Sequence, residues 1–427
     1  MTIRAQASGA LAIEGGAPVR RPGLSWPRWP VPAPQAEEML RQVLYGRRWA
    51  ISSPHHGELF ERRFASEFAS YLGARHCVPT DHGSSAVLIA LESLGLAEGD
   101  AVLVPALTWT ATATAVLRAG LLPVLADVDP RTGSIGPEAL RDNADVRAVV
   151  AVHWACGMAD VPAIQAAAPD AVVIEDAAQA HGARWQGHAA GTLGRLGCFS
   201  MQHSKVLTCG EGGAVVTDDD DLVIRLQELR ADSRSYHSTG GEGELELAET
   251  ATMMGANFCL DEFGAALLCA QLPLLDVQHR VRNRNYESLR SLLAGVPGVR
   301  LLDRAPQQDA LSLYEVPIIF ERLDGEHDNA WAAAAVTAEI GMRAYPPRVP
   351  LHRSPLLRPW TKPTLSTLAT RFVERHRDKQ FPHAEYLARK AVLLHHSTFL
   401  GDETDMRHLA AAVGKVARHL TPTTAYG

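Results

Sequence analysis

Lys205 is an isolated amine. The next lysine is Lys362, and only Lys379, Lys390 and Lys415 follow, whereas arginine fills every other Lys/Arg position. The residue lies in FSMQHSKVLTCGEGGAVVTD (Phe199–Asp218), between an apolar run and a Gly-rich turn. Arginine stays protonated in a protein. A lysine desolvated in a pocket can lose its proton and act as a nucleophile that forms an imine. A chain that writes arginine nearly everywhere else therefore marks position 205 as needing an amine and not merely a positive charge.

Asp176 closes another apolar run, AVVIED, upstream. A carboxylate there is costly to bury without a cationic partner, which a protonated ring nitrogen would supply; a helix cap is the other reading. Gln179 follows in EDAAQAHGA, and Ser200 precedes Lys205 by five residues. Gly83, Ser84 and Ser85 open an amphipathic segment after CVPTDH. Their amides and hydroxyls suit a phosphate at a helix N-terminus, or simply cap the helix. Trp109, at a strand-to-helix junction after VLVPALT, is either a core residue or a platform for a stacked ring. Together these positions specify a ligand with a phosphate, an aromatic ring bearing a basic nitrogen, and an aldehyde. Pyridoxal 5′-phosphate (PLP) has all three.

These residues need a scaffold that gathers them. From about residue 75 the apolar runs DAVLVPAL, LPVLADVD, RAVVAVHW, DAVVIED, CFSMQ and GAVVTD alternate with helix-like segments. That pattern predicts an α/β fold with a mainly parallel sheet covered on both faces. In such sheets, ligands collect at the carboxyl ends of the strands. The Pro- and Trp-rich residues 1–45 read as an arm lying over another surface, 46–290 as the large domain, and 291–427 as a smaller C-terminal α+β domain. The acidic run Asp218–Asp221 predicts a helix N-terminus, and GEGELELAE a solvated loop.

Composition narrows the function further. A net charge of −7 gives no nucleic-acid footprint. No apolar run is long enough to span a membrane, and the N-terminus lacks a signal-peptide core. Cys77, Cys156, Cys198, Cys209, Cys259 and Cys269 show no metal-ligand spacing and read as free thiols of a cytoplasmic protein, with no metal site.

The segments EDAAQAHGA, FSMQHSKVLTCGEGGAVVT and GANFCLDEFGAALLCAQL resemble the DegT/DnrJ/EryC1/StrS family of sugar and cyclitol aminotransferases. The resemblance runs from about Trp26 to the C-terminus. It implies the type I (aspartate aminotransferase-like) PLP fold, with Lys205 as the Schiff-base lysine and Asp176 as partner of the pyridinium nitrogen. It further implies Gln179 at the cofactor's phenolic oxygen, Trp109 stacked on its ring, and Ser84, Ser85 and Ser200 at its phosphate. Asn257 would reach that phosphate from a neighbouring subunit, making a homodimer with shared active sites. Relatives with histidine at the lysine position are dehydratases, so Lys205 favours transamination.

The form SKVLTCGEGG, with LTWTATATAV and QELRADSRSY, is similar to the subgroup acting on L-glutamine and scyllo-inosose or 2-deoxy-scyllo-inosose in aminoglycoside pathways. It departs from the TKN pattern of nucleotide-sugar enzymes. The late LLHHSTFLG agrees equally with 3-amino-5-hydroxybenzoate synthases. The implied reaction is ping-pong, with glutamine as donor and a cyclitol ketone as acceptor. For the acceptor's hydroxyls the candidates are His153, His203, Arg230, Tyr345, His395 and His396. A nicotinamide-dependent dehydrogenase is disfavoured, because no GxGxxG follows an N-terminal strand.

Overall fold

A computed structural model of the chain describes residues 9–53, 59–236 and 246–420. Two helices, α1 (Ala36–Gly46) and α2 (Phe60–Leu72), lead into the first strand of the large sheet. That strand is β1 (His76–Thr80), followed by α3 (Gly83–Ser93), β2 (Ala101–Pro105), α4 (Thr110–Arg118) and β3 (Leu122–Ala126). Then come β4 (Ala148–Val152), α5 (Val161–Ala167) and β5 (Val172–Asp176). After a short hairpin, β6 (Arg184–Trp185) and β7 (His188–Ala189), the sheet is completed by β8 (Leu196–Ser200) and β9 (Gly213–Thr217).

The seven strands lie in the order β1-β9-β8-β5-β4-β2-β3. From β8 across to β3 every pairing is parallel, and β9 alone runs antiparallel to both of its neighbours. Every residue of β2, β3, β4 and β9 is buried. That is why these strands read as unbroken apolar runs and not as alternating ones. The reversed strand makes β8 and β9 a hairpin, with residues 201–212 as the connection that carries Lys205.

Beyond β9 lie α6 (Asp220–Arg230), the paired β10 (Arg234–Tyr236) and β11 (Leu247–Glu249), α7 (Glu262–Gln271) and the long α8 (Leu275–Leu293). Asp219 caps α6 by accepting from the amides of Asp221 and Leu222, as the acidic run predicts. The expected loop GEGELELAE is a strand at its end, because Leu247 buries against Ile51 and Ala231; residues 241–245 lie outside the described residues.

The C-terminal part contains β12 (Val299–Leu301), β13 (Gln308–Ala310), β14 (Glu315–Phe320), α9 (Asn329–Ile340) and β15 (Ala344–Tyr345). It closes with α10 (Ser366–His376), α11 (Pro382–Lys390), β16 (Ala391–His395) and α12 (Glu403–His419). Here the antiparallel sheet β12-β14-β16-β15 packs with the helices, while β13 joins the β6–β7 hairpin. Residues 11–26 contact this region, whereas Val31 and α1 lie against α7. Glu339 accepts from the amides of Ala12 and Val19, and Trp26 donates to the carbonyl of Ile340. The four lysines other than Lys205 all belong to this part, from Lys362 at the start of a short 3₁₀ turn to Lys415 on α12. The six cysteines are free, and no helix among the described residues is long and apolar enough to cross a membrane.

Candidate active site

The parallel strands direct their carboxyl ends toward a cavity of about 1040 Å³ that the C-terminal sheet closes from the other side. Gly83, Ser84, Trp109, Asp176, Gln179, Ser200 and Lys205 all line it. They come from four separate chain segments, and the sheet order is what brings them together.

Asp176 is the last residue of β5 and is 8% exposed. One carboxylate oxygen accepts from the Thr112 hydroxyl at 3.0 Å, and the other from the Ala178 amide at 3.2 Å. Thr112 is in turn 3.2 Å from Thr108, so α4 braces the carboxylate from the side. Gln179 is held by its carbonyl oxygen, which accepts from the Ala155 amide at 2.6 Å. Its NH₂ is therefore the end left to donate. Gly83 opens α3 behind His82, whose side chain makes no cap, so the first amides of the helix are available to an anion. A Cβ at Gly83 would lie 2.5 Å from the Ser200 Cβ; only glycine lets these two segments meet.

Lys205 is positioned by its own loop. Its amide donates to the Gln202 carbonyl, while the Gln202 side chain accepts from both the amide and the hydroxyl of Ser204. The Ser204 hydroxyl is 3.0 Å from the Tyr314 hydroxyl, and the Ser204 carbonyl accepts from His395 at 3.1 Å and His396 at 3.0 Å. The Lys205 Nζ lies 4.1 Å from the centre of the Tyr314 ring. Burial pushes its pKa down to about 8, with Asp176 and Glu315 pulling the other way. An amine so placed gives up its proton far more readily than an ordinary lysine.

Two of the expected residues lie elsewhere in this chain. Ser85 is buried in the packing of α3, because one residue of helix rotates it about 100° from Ser84. Asn257 is exposed, makes a β-bridge to Ala231 and accepts from the Cys259 amide. Among the hydroxyl-binding candidates, Tyr345 and His395 line the cavity. His153 does not: it is fully buried and bonded to Glu175 and the Ala159 amide, with Glu175 also gathering the amides of Gly191, Leu193 and Gly194. Arg230 is likewise buried, against Glu61 and the Pro79 carbonyl. His203 is exposed outside the lining, and His396 is buried behind the lysine loop.

Sequence reasoning missed Thr112, Tyr314, Glu315, Arg343 and Arg348, which also line the cavity. Glu315 offered a signal, since a carboxylate that opens the apolar strand EVPIIF is as unusual as one that closes AVVIED. Arg348 stacks over Trp109, its guanidinium carbon 4.5 Å from the ring centre.

Amine, carboxylate, amide donor, indole and uncapped helix N-terminus fit PLP, and the fold with this site defines a PLP-dependent transaminase. The chain belongs to the DegT/DnrJ/EryC1/StrS aminotransferase family, whose model matches residues 35–413. It is 42% identical to an L-glutamine:2-deoxy-scyllo-inosose aminotransferase of Streptoalloteichus tenebrarius, over 96% of this chain and 98% of the relative. It is 40% identical to the L-glutamine:scyllo-inosose aminotransferase of Streptomyces griseus, over 95% and 97%. The crystal structure of 3-amino-5-hydroxybenzoic acid synthase superposes with a TM-score of 0.78 at 27% identity, covering 92% of this chain and 99% of that one. The type I fold expected from the sequence is thus observed.

Proposed function

We propose that this enzyme transfers the amino group of L-glutamine to the ketone of a cyclitol, 2-deoxy-scyllo-inosose or scyllo-inosose, in aminoglycoside biosynthesis. The full-length identity to aminotransferases named for these substrates carries the reading. The cavity agrees with it, because Tyr345, Tyr314 and Glu315 keep hydrogen-bonding capacity for an uncharged polyol, while both ring nitrogens of His395 are taken by Ser204 and Ser397. We further propose a cytoplasmic homodimer, with Asn257 of each chain reaching the other's site.

When bound, PLP supplies an aldehyde carbon and an electron-accepting ring. Asp176 would hold the proton on the ring nitrogen. Gln179 would offer its NH₂ to the phenolic oxygen, Trp109 would lie against the ring, and Gly83, Ser84 and Ser200 would hold the phosphate. Lys205 Nζ would serve as the base that takes the proton from the donor's Cα and as the acid that returns one to the carbon being aminated. Arg343 and Arg348 are the cavity cations available to the donor's α-carboxylate. The test is an amine-product assay with glutamine as donor and 2-deoxy-scyllo-inosose, scyllo-inosose or an aminodehydroshikimate as acceptor. Turnover of the last compound alone would replace this reading with an aminohydroxybenzoate-forming one.

A further inference from the structure

Glu315 opens β14 opposite His395 of β16, and on the other side of β16 Tyr345 of β15 stands opposite Leu393. Leu393 and His395 share one face of the strand. The side chains of Glu315 and Tyr345 meet over that face, where the Tyr345 hydroxyl donates to Oε1 of Glu315 at 2.9 Å. Among the described residues, Oε2 takes no hydrogen bond.

The other carboxylates of the cavity are engaged. Asp176 holds Thr112 and the Ala178 amide, and Glu211 is 3.1 Å from His82. Glu315 has only a neutral phenol as partner. Burial pushes its pKa up, opposed by the Tyr345 hydrogen bond and by the charges of Lys205 and Arg348, and among the described residues it forms no ion pair within 4 Å. A carboxylate with an unused acceptor, set beside the reactive amine, attracts N–H and O–H donors and repels a second carboxylate.

We propose that Glu315 selects substrates whose distal end is a neutral hydrogen-bond donor. In the first half-reaction that end is the carboxamide NH₂ of glutamine, in preference to the side-chain carboxylate of glutamate. In the second it is a ring hydroxyl of the ketone. The assignment rests on the substrates proposed above. It explains how one cavity serves two dissimilar molecules in turn: both present the same chemistry to one oxygen.

The variant Glu315→Gln keeps an acceptor for Tyr345 and removes the charge. Half-reactions are followed separately by the cofactor's absorbance, with glutamine, with glutamate, and, on the amine-loaded enzyme, with 2-deoxy-scyllo-inosose. The ratio of glutamine to glutamate rate constants should fall at least tenfold, through a gain with glutamate. Tyr345→Phe, which keeps the carboxylate, should hold that ratio within about twofold. A change in the donor arm assigns Oε2 to the carboxamide, and a loss in the ketone arm assigns it to the hydroxyl. If neither arm changes by more than twofold, the proposal is overturned. A parent enzyme inert toward glutamine would remove the proposed donor, and the gain with glutamate in Glu315→Gln would still decide the role of Glu315. Inhibition of the parent guards against a misfolded variant: the monoamide of glutaric acid should bind at least tenfold more tightly than glutarate. Equal binding would overturn the proposal.

Discussion

The amide oxygen of Gln179 accepts from the backbone of Ala155, a residue in the left-handed region at φ 61°. The Ala155 carbonyl accepts from the Tyr314 amide, so the same residue ties the β4 loop to the C-terminal part. A left-handed alanine costs on the order of 1 kcal/mol, and what it secures is the orientation of the Gln179 NH₂. Gln179→Glu would keep the acceptor and lose the donor. Cofactor should still bind, but turnover should fall at least tenfold with a displaced visible absorbance maximum. An unchanged spectrum would remove Gln179 from the phenolic oxygen.

Borohydride reduction of the purified enzyme should attach the cofactor to Lys205, as peptide mapping would read. An adduct on Lys362, Lys379, Lys390 or Lys415 would refute the assignment. Lys205→Arg should fold normally, by circular dichroism, and have no measurable turnover, because a guanidinium cannot serve as nucleophile or base.

Asp176→Asn should retain cofactor and lose at least about 100-fold in turnover, since an amide does not hold the ring proton. Thr112→Val removes one hydrogen bond to that carboxylate and should cost about tenfold, or ~1.4 kcal/mol. Equal kinetics in Thr112→Val and the parent would show the hydroxyl to be packing alone.

Within one chain Asn257 stands apart from the cavity, so its proposed role requires a second chain. Lys205→Ala and Asn257→Asp should each be inactive, the latter through repulsion of the phosphate. Co-expressed chains pairing at random should recover roughly a quarter of parent activity, because a mixed dimer carries both defects in one site and neither in the other. Verified mixed dimers without activity would exclude Asn257 from the shared site.

Burial holds His181 neutral with its pKa lowered to about 3, and His279 and His395 at about 4. Their folded values lie below the unfolded value near 6.5. The unfolded chain therefore binds more protons between about pH 6.5 and 4, and stability falls as pH drops through that window. Above it, the stability is fully present. Each such histidine contributes a slope of up to ~1.4 kcal/mol per pH unit. His279→Gln keeps a donor for the His181 carbonyl and should lessen the loss between pH 6.5 and 5 by about 1–2 kcal/mol in urea unfolding. An unaltered pH profile would contradict this.

Much of this was legible because burial on both faces leaves a plain mark. The six apolar runs all became strands of one sheet, and carboxylate, amine and glycine at their ends marked the cavity. Rotation and context were less visible. Ser84 and Ser85 are equivalent in a sequence, and helix pitch alone separates them. Thr112 is hidden among the alternating threonines of LTWTATATAV, since only its distance to Asp176 distinguishes it. Arg230 and His153 carry polar chemistry, yet Glu61 and Glu175 consume it inside the core. Partners far apart in sequence decide whether a polar residue serves structure or substrate.

The lysines suit the enzyme to surface attachment. Lys362 and Lys379 are exposed, while Lys390 and Lys415 are engaged with the Glu321 and Leu323 carbonyls and with Glu339. With Lys205 sheltered by cofactor, an amine-reactive ester resin that acylates lysines would do so at Lys362 and Lys379. Every lysine attachment would then fall in the C-terminal part, and the helices of the large sheet would carry none.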